Sequence, residues 1–181
     1  MRTVTYGAAC SLDGFITAAD GSMDWLHFSP DVQNEMATYW ATVDTMLMGR
    51  KTYEVAAAHA GDGAEGDGGA MSGVTTYVFS RTLKGVPGDA RLVSTDAGEF
   101  VRELKQRPGK GICVMGGGEL AQSLFAAGVI DEVGLNIHPV LLGAGVPLFR
   151  DAGRRIGLEL AESRVIDGGC VLANYRVRHD S

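Results

Sequence analysis

Gly111-Ile112-Cys113-Val114-Met115-Gly116-Gly117-Gly118-Glu119-Leu120 reads as a short apolar strand that runs into three glycines and straight on into a helix. A nearly all-apolar run of that length suits a strand covered on both faces. Two other strand ends carry comparable punctuation. Thr45 to Met48 leads into Gly49-Arg50-Lys51-Thr52 and a short helix, and Thr75 to Phe79 ends in Ser80-Arg81. Strands that alternate with helices in this way build a mostly parallel sheet with helices on its faces.

Working outward, Val4 to Cys10 is a first strand. Ser29-Pro30-Asp31 opens a helix: Ser29 caps it, Pro30 suits the first helical position and Asp31 complements its positive end. Val32, Met36, Tyr39, Trp40 and Val43 recur at helical spacing and predict its buried face. Leu92 to Ser94 predicts a short strand. Thr95-Asp96 starts a helix with Phe100 and Leu104 inward, and the glycine turn leads to one with Leu120, Leu124 and Phe125 inward. After Gly128 the alternation stops. Val133 to Ile137, Leu158 to Val165 and Val171 to Val177 read as strands, with Asp167-Gly168-Gly169 as a hairpin turn. The prediction is one α/β domain over residues 1–181, a mixed and mostly parallel sheet with an antiparallel C-terminal edge.

At 181 residues the chain fits one domain. Sixteen Lys and Arg against 22 Asp and Glu give a net charge of −6 with no basic block, which argues against nucleic acid or an anionic membrane as partner. Cys10, Cys113 and Cys170 lie scattered in apolar runs, which predicts buried reduced thiols and no structural metal. No apolar signal core opens the chain, so a cytoplasmic protein is expected. Glycine is abundant, 26 residues, and the Gly61-to-Gly73 cluster reads as a flexible surface loop.

The other glycines sit where chemistry is expected. In an open α/β sheet ligands bind outside the carboxyl ends of the strands. Helices starting there offer unpaired N–H groups, glycine admits a ligand close to the backbone, and arginine supplies a planar donor fork for phosphate. Two basic strand ends beside one glycine end match a nucleotide with a pyrophosphate and a separate phosphate, as in NADPH. The glycines lack the GxGxxG spacing of the Rossmann fingerprint and the GxxxxGK[ST] of a phosphate loop.

These stretches, with Ala8-Ala9-Cys10-Ser11-Leu12-Asp13-Gly14-Phe15-Ile16, Asp24-Trp25 and Met48-Gly49-Arg50-Lys51-Thr52-Tyr53-Glu54, resemble the dihydrofolate-reductase-like superfamily. The run from Ile137 to Phe149 is similar to its branch that holds the reductase domain of the riboflavin-synthesis deaminase–reductase. The resemblance runs over nearly the whole chain. It implies an NADPH-dependent reductase with a small heterocyclic substrate, a ribosylaminopyrimidine or a pterin. It assigns Gly49, Arg50, Lys51 and Thr52 to the pyrophosphate and 2′-phosphate, Ser80 and Arg81 to the 2′-phosphate and adenine, Gly116, Gly117, Gly118, Glu119 and Leu120 to the pyrophosphate and nicotinamide ribose, and Ala9 and Ile16 to the nicotinamide. Trp25 is expected to line the substrate pocket. Asp31, or Glu35 one turn later, is the candidate proton path, although acids in a first helical turn also simply complement the dipole. The resemblance further implies a homodimer, with Gly143 to Phe149 near the interface. The deaminase signatures, H-x-E and P-C-x-x-C, are absent. The rival readings are a nucleotide-binding module without turnover and a binding protein for an apolar ligand.

Overall fold

A computed structural model describes residues 1–60, 73–116, 118–151 and 153–179. The first half alternates as expected: β1 (Val4–Ser11), β2 (Phe15–Ala18), α1 (Pro30–Ala41), β3 (Val43–Gly49), α2 (Arg50–Ala60), β4 (Thr75–Phe79), β5 (Arg91–Val93), α3 (Ala97–Gln106), β6 (Gly111–Met115) and α4 (Gly118–Ala126). The second half is strands: β7 (Glu132–His138), β8 (Gly145–Pro147), β9 (Leu158–Ile166) and β10 (Cys170–Val177). Eight strands form one sheet in the order β5-β4-β3-β6-β1-β7-β10-β9, parallel up to β7 and antiparallel through β10 and β9. The mixed sheet and its antiparallel edge are therefore as read from the sequence.

Alternate residues of the parallel strands face two separate cores, as the two-residue period of a strand demands. On one face Val4, Tyr6, Leu47, Ile112 and Val114 pack with Val101 and Leu104 of α3 and Leu120, Leu124 and Phe125 of α4. On the other, Met46, Met48, Val78 and Cys113 pack with Trp40, Met36 and Tyr39 of α1. Ser29 caps α1, its hydroxyl accepting from the Val32 N–H at 3.3 Å, and Asp96 caps α3 in the same way at 2.9 Å. The helical stripe is one residue too long at its end: α1 stops at Ala41, and Val43 opens β3 instead. Thr42 halts the helix by turning its N–H back to the Tyr39 carbonyl. The Asp167-Gly168-Gly169 hairpin is present, with both glycines at positive φ. The three cysteines are buried and free.

A small second sheet of β2 and β8 was not expected. It links the loop after β1 to the Ile137–Phe149 run. Asp13 holds the two together, its carboxylate accepting from the backbone N–H groups of Leu142 and Gly143 at 3.1 and 2.8 Å. The Ser11 hydroxyl, donating from 2.6 Å, and then those two backbone bonds keep the Asp13 carboxyl below its ordinary range. Gly145 at φ 156° lies so close to β2 that a Cβ there would strike the Thr17 carbonyl. Of the Gly61–Gly73 cluster, only Gly73 falls among the described residues.

Candidate functional site

The strand ends at β4, β3 and β6 lie side by side, since Gly49 pairs in register with Phe79 and Met48 with Met115. Their following turns therefore open onto one cleft, lined by Gly49, Arg50, Lys51 and Thr52, by Ser80 and Arg81, and by Gly116, Gly118, Glu119 and Leu120. Gly117 lies outside the described residues. Helices α2 and α4 both begin at this cleft, and each brings the positive end of its dipole to it.

Close packing explains the glycines. Gly116, at φ 92°, faces the Thr52 side chain, which fills the space a Cβ would need, so only glycine lets the β6 turn pack this closely on α2. Tyr6 fixes the same turn from below: its hydroxyl donates to the Leu148 carbonyl at 2.7 Å and lies 3.3 Å from the Gly116 carbonyl. Gly118 is pressed against Arg150, whose Cγ would lie 2.7 Å from a Cβ. Arg150 and Lys51 each place a nitrogen 3.6 Å from the Glu119 carboxylate. Arg50 pairs with Glu54 one turn along at 3.1 Å. The Ser80 hydroxyl accepts from the N–H groups of Thr82 and Leu83 at 3.2 and 3.1 Å, which shapes the turn that carries Arg81. Arg81 is exposed and makes no ion pair among the described residues.

Ala9 on β1 and Ile16 on β2 line the same cleft farther along. The remaining candidates separate. Glu35 lines the cleft, but both its oxygens accept from Arg164, at 3.0 and 2.6 Å. Asp31 is exposed on the first turn of α1 and is not among the cleft-lining residues. Trp25 turns inward, its ring edge-on to His138 at 5.4 Å and its Nε1–H buried without an acceptor, while its neighbours Leu26 and His27 face the cleft. Arg150 and Asn136 went unforeseen. Arg150 follows the Ile137–Phe149 run and meets Gly118 only through the fold, so no local pattern marks it.

His138 fixes this loop. It is 2% exposed, and its Nδ1 accepts the His27 backbone N–H at 3.3 Å, with the Cys170 sulfur 3.4 Å away. Burial, and secondarily His27, pull the imidazole below its ordinary value of 6.5. The folded chain therefore keeps His138 neutral where the unfolded chain takes up a proton. Stability falls wherever the unfolded state binds more protons as pH drops, here from about pH 6.5 downward. Melting scans from pH 7.5 to 5.5 are expected to show a falling midpoint, with a shallower fall in His138→Gln. An equal slope in both proteins would remove His138 as its source.

No helix of the described residues is long and apolar enough to cross a membrane, and no group of three His, Cys, Asp or Glu side chains gathers among them as for a metal.

Compared with known families, residues 2–172 match the RibD C-terminal domain. The chain belongs to that family. Two Bacillus subtilis (strain 168) proteins are similar to this RibD C-terminal domain in sequence, both uncharacterized. YyaP is 33% identical over 179 residues, covering 96% of this chain and 94% of its own, and YwjB is 34% identical over 161 residues, 88% of each. A Shewanella sp. PV-4 protein provisionally named for riboflavin biosynthesis has the same fold at a TM-score of 0.84 and 25% identity, covering 99% of this chain and all, 100%, of that one. A Thermotoga maritima diaminohydroxyphosphoribosylaminopyrimidine deaminase/5-amino-6-(5-phosphoribosylamino)uracil reductase aligns at a TM-score of 0.72 and 15% identity, over 98% of this chain and 57% of that one. That last likeness bears on the fold alone.

Proposed function

We propose that this RibD C-terminal domain is an NADPH-dependent reductase that passes a hydride to a small heterocyclic substrate. What supports the reading is one juxtaposition: three turns at the ends of adjacent parallel strands share a cleft with Ala9 and Ile16. The donor set fits the cofactor. The N-termini of α2 and α4, with Lys51 and Arg150, would hold the pyrophosphate, and Arg50 and Arg81 the 2′-phosphate. When bound, the reduced nicotinamide supplies the hydride. The chain orients it over β1 and β2, where Ala9 offers little bulk and Ile16 an apolar wall. Glu35 is tied to Arg164 and Asp31 stands in solvent, so the accompanying proton is left to water. The resemblance and the family suggest a pyrimidine of riboflavin synthesis as the first compound to try.

Calorimetric titration with NADPH and NADH, then loss of reduced-nicotinamide absorbance across pyrimidine, pterin and quinone substrates, tests this. Preferential NADPH binding with turnover of one substrate is expected. Binding without turnover across the panel would reassign the chain as a nucleotide-binding module, and absence of binding would end both readings.

A further inference from the structure

A second cavity, of about 190 Å³, opens at the far end of α4 from the cleft. Phe125 and Ile130 give it an apolar wall, and Arg154, Arg155, Arg178 and His179 bring basic groups to it. None of the described residues that line it is Asp or Glu. In a chain of net charge −6 this is a local reversal of sign. Two segments build it: Arg154 and Arg155 precede β9, and Arg178 and His179 follow β10. The backbone joins them, the Arg178 N–H donating to the Gly157 carbonyl at 2.8 Å. Gly157 has no side chain, and the Arg178 stem lies over it, its Cδ 3.4 Å from where a Cβ would stand.

The chain itself uses only part of this charge. Arg154 donates to the Phe125 carbonyl at 3.2 Å and so complements the negative end of α4. Neighbouring carbonyls are also taken, Leu124 by the Val129 N–H at 3.2 Å and Ala127 by Arg102 at 3.0 Å. Arg155 makes no ion pair among the described residues. Arg178 reaches Glu159 only at 4.0 Å, the outer limit of an ion pair. Asp131 lies 3.6 Å from His179, but both its oxygens accept from Lys105 at 2.7 Å. The Asp151 carboxylate turns back to the Gly153 N–H at 2.7 Å. Guanidinium groups gathered without matching carboxylates repel one another, and an anion seated between them turns that repulsion into attraction.

We propose that this cavity is a second anion site, which holds a phosphate between the Arg155 and Arg178 guanidiniums with Arg154 as a third cation. The planar donor fork of arginine matches phosphate oxygens. The cavity is smaller than the about 300–1,000 Å³ usual for a whole small-molecule ligand, so it admits free phosphate or the phosphate end of a larger metabolite. It stands apart from the cofactor turns and does not depend on the reductase reading.

The test titrates the full chain in a calorimeter with inorganic phosphate and with glycerol 3-phosphate. Ionic strength is held at about 0.15 M, where exposed charges are screened beyond about 8 Å. Saturable phosphate binding is expected, weakened about tenfold or more in Arg155→Ala and in Arg178→Ala, since each loses a charge-assisted hydrogen bond. Arg81→Ala, at the cleft, is expected to leave that affinity unchanged. Should Arg178→Ala misfold through loss of its stem on Gly157, Arg155→Ala carries the test alone. Tighter binding of inorganic phosphate identifies a free-ion site, and equal or tighter binding of glycerol 3-phosphate identifies a site for the end of a metabolite. Three results overturn the proposal: no saturable binding of either compound, unchanged affinity in folded Arg155→Ala, or a loss confined to Arg81→Ala, which moves the phosphate to the cleft.

Discussion

Arg81→Ala is expected to weaken NADPH binding by tenfold or more and to leave NADH binding within a factor of about two, because a hydrogen bond to a charged group contributes about 1.5–3 kcal/mol and one decade of affinity is about 1.4 kcal/mol. Arg81 stands just past β4, exposed, with no carboxylate of the described residues competing for it. Its guanidinium is thus available to a phosphate monoester, and only NADPH carries one. Arg50 is in a different position. Its ion pair with Glu54 must loosen before it can serve the ligand, so Arg50→Ala should have the smaller effect. Calorimetry at two salt concentrations distinguishes the cases, since a phosphate contact near the surface weakens with added salt. Equal losses for the two cofactors in Arg81→Ala, or no loss for either, would detach the β4 turn from phosphate binding.

Most of this architecture was legible because buried parallel strands are continuous apolar runs. Val4 to Cys10, Thr75 to Phe79 and Gly111 to Met115 are covered on both faces and follow nearly one rule. Glycine turns at their ends give away the cleft for an equally local reason. The small β2 and β8 sheet is another matter. Its strands span only Phe15–Ala18 and Gly145–Pro147, and Asp13 joins them by bonding backbone far along the chain. Neither periodicity nor turn chemistry records such a bond. The same holds for Arg150 against Gly118 and for Asn136 beside Ala9, which are products of topology. Carboxylates were harder still. Glu35 and Asp31 are a turn apart on α1, yet one reaches across to Arg164 on β9 and the other points to water.

Leu124→Ala is expected to lower the melting temperature by about 10 °C with little change in cofactor affinity. Leu124 is fully buried at 0% exposure, in the core that docks α4 on the sheet beside Tyr6 and Phe125. Removing a buried leucine side chain typically costs about 3–5 kcal/mol, the transfer term plus the cavity left behind. For a domain of this size each kcal/mol shifts the midpoint by about 2–4 °C. The cavity lies six residues beyond Gly118, about 9 Å along the helix, and Leu120 and the Tyr6 hydroxyl still anchor the first turn. NADPH at a hundred times its dissociation constant should then recover about 2.7 kcal/mol in the variant and in the parent alike. Arg81→Ala predicts the mirror image, a weakened NADPH complex on a chain that melts as before. Differential scanning calorimetry with and without NADPH measures both. If Leu124→Ala loses binding in step with stability, the anion-binding turns are not preorganised by the sheet but depend on how tightly α4 is packed, and the cleft must be counted as part of the core.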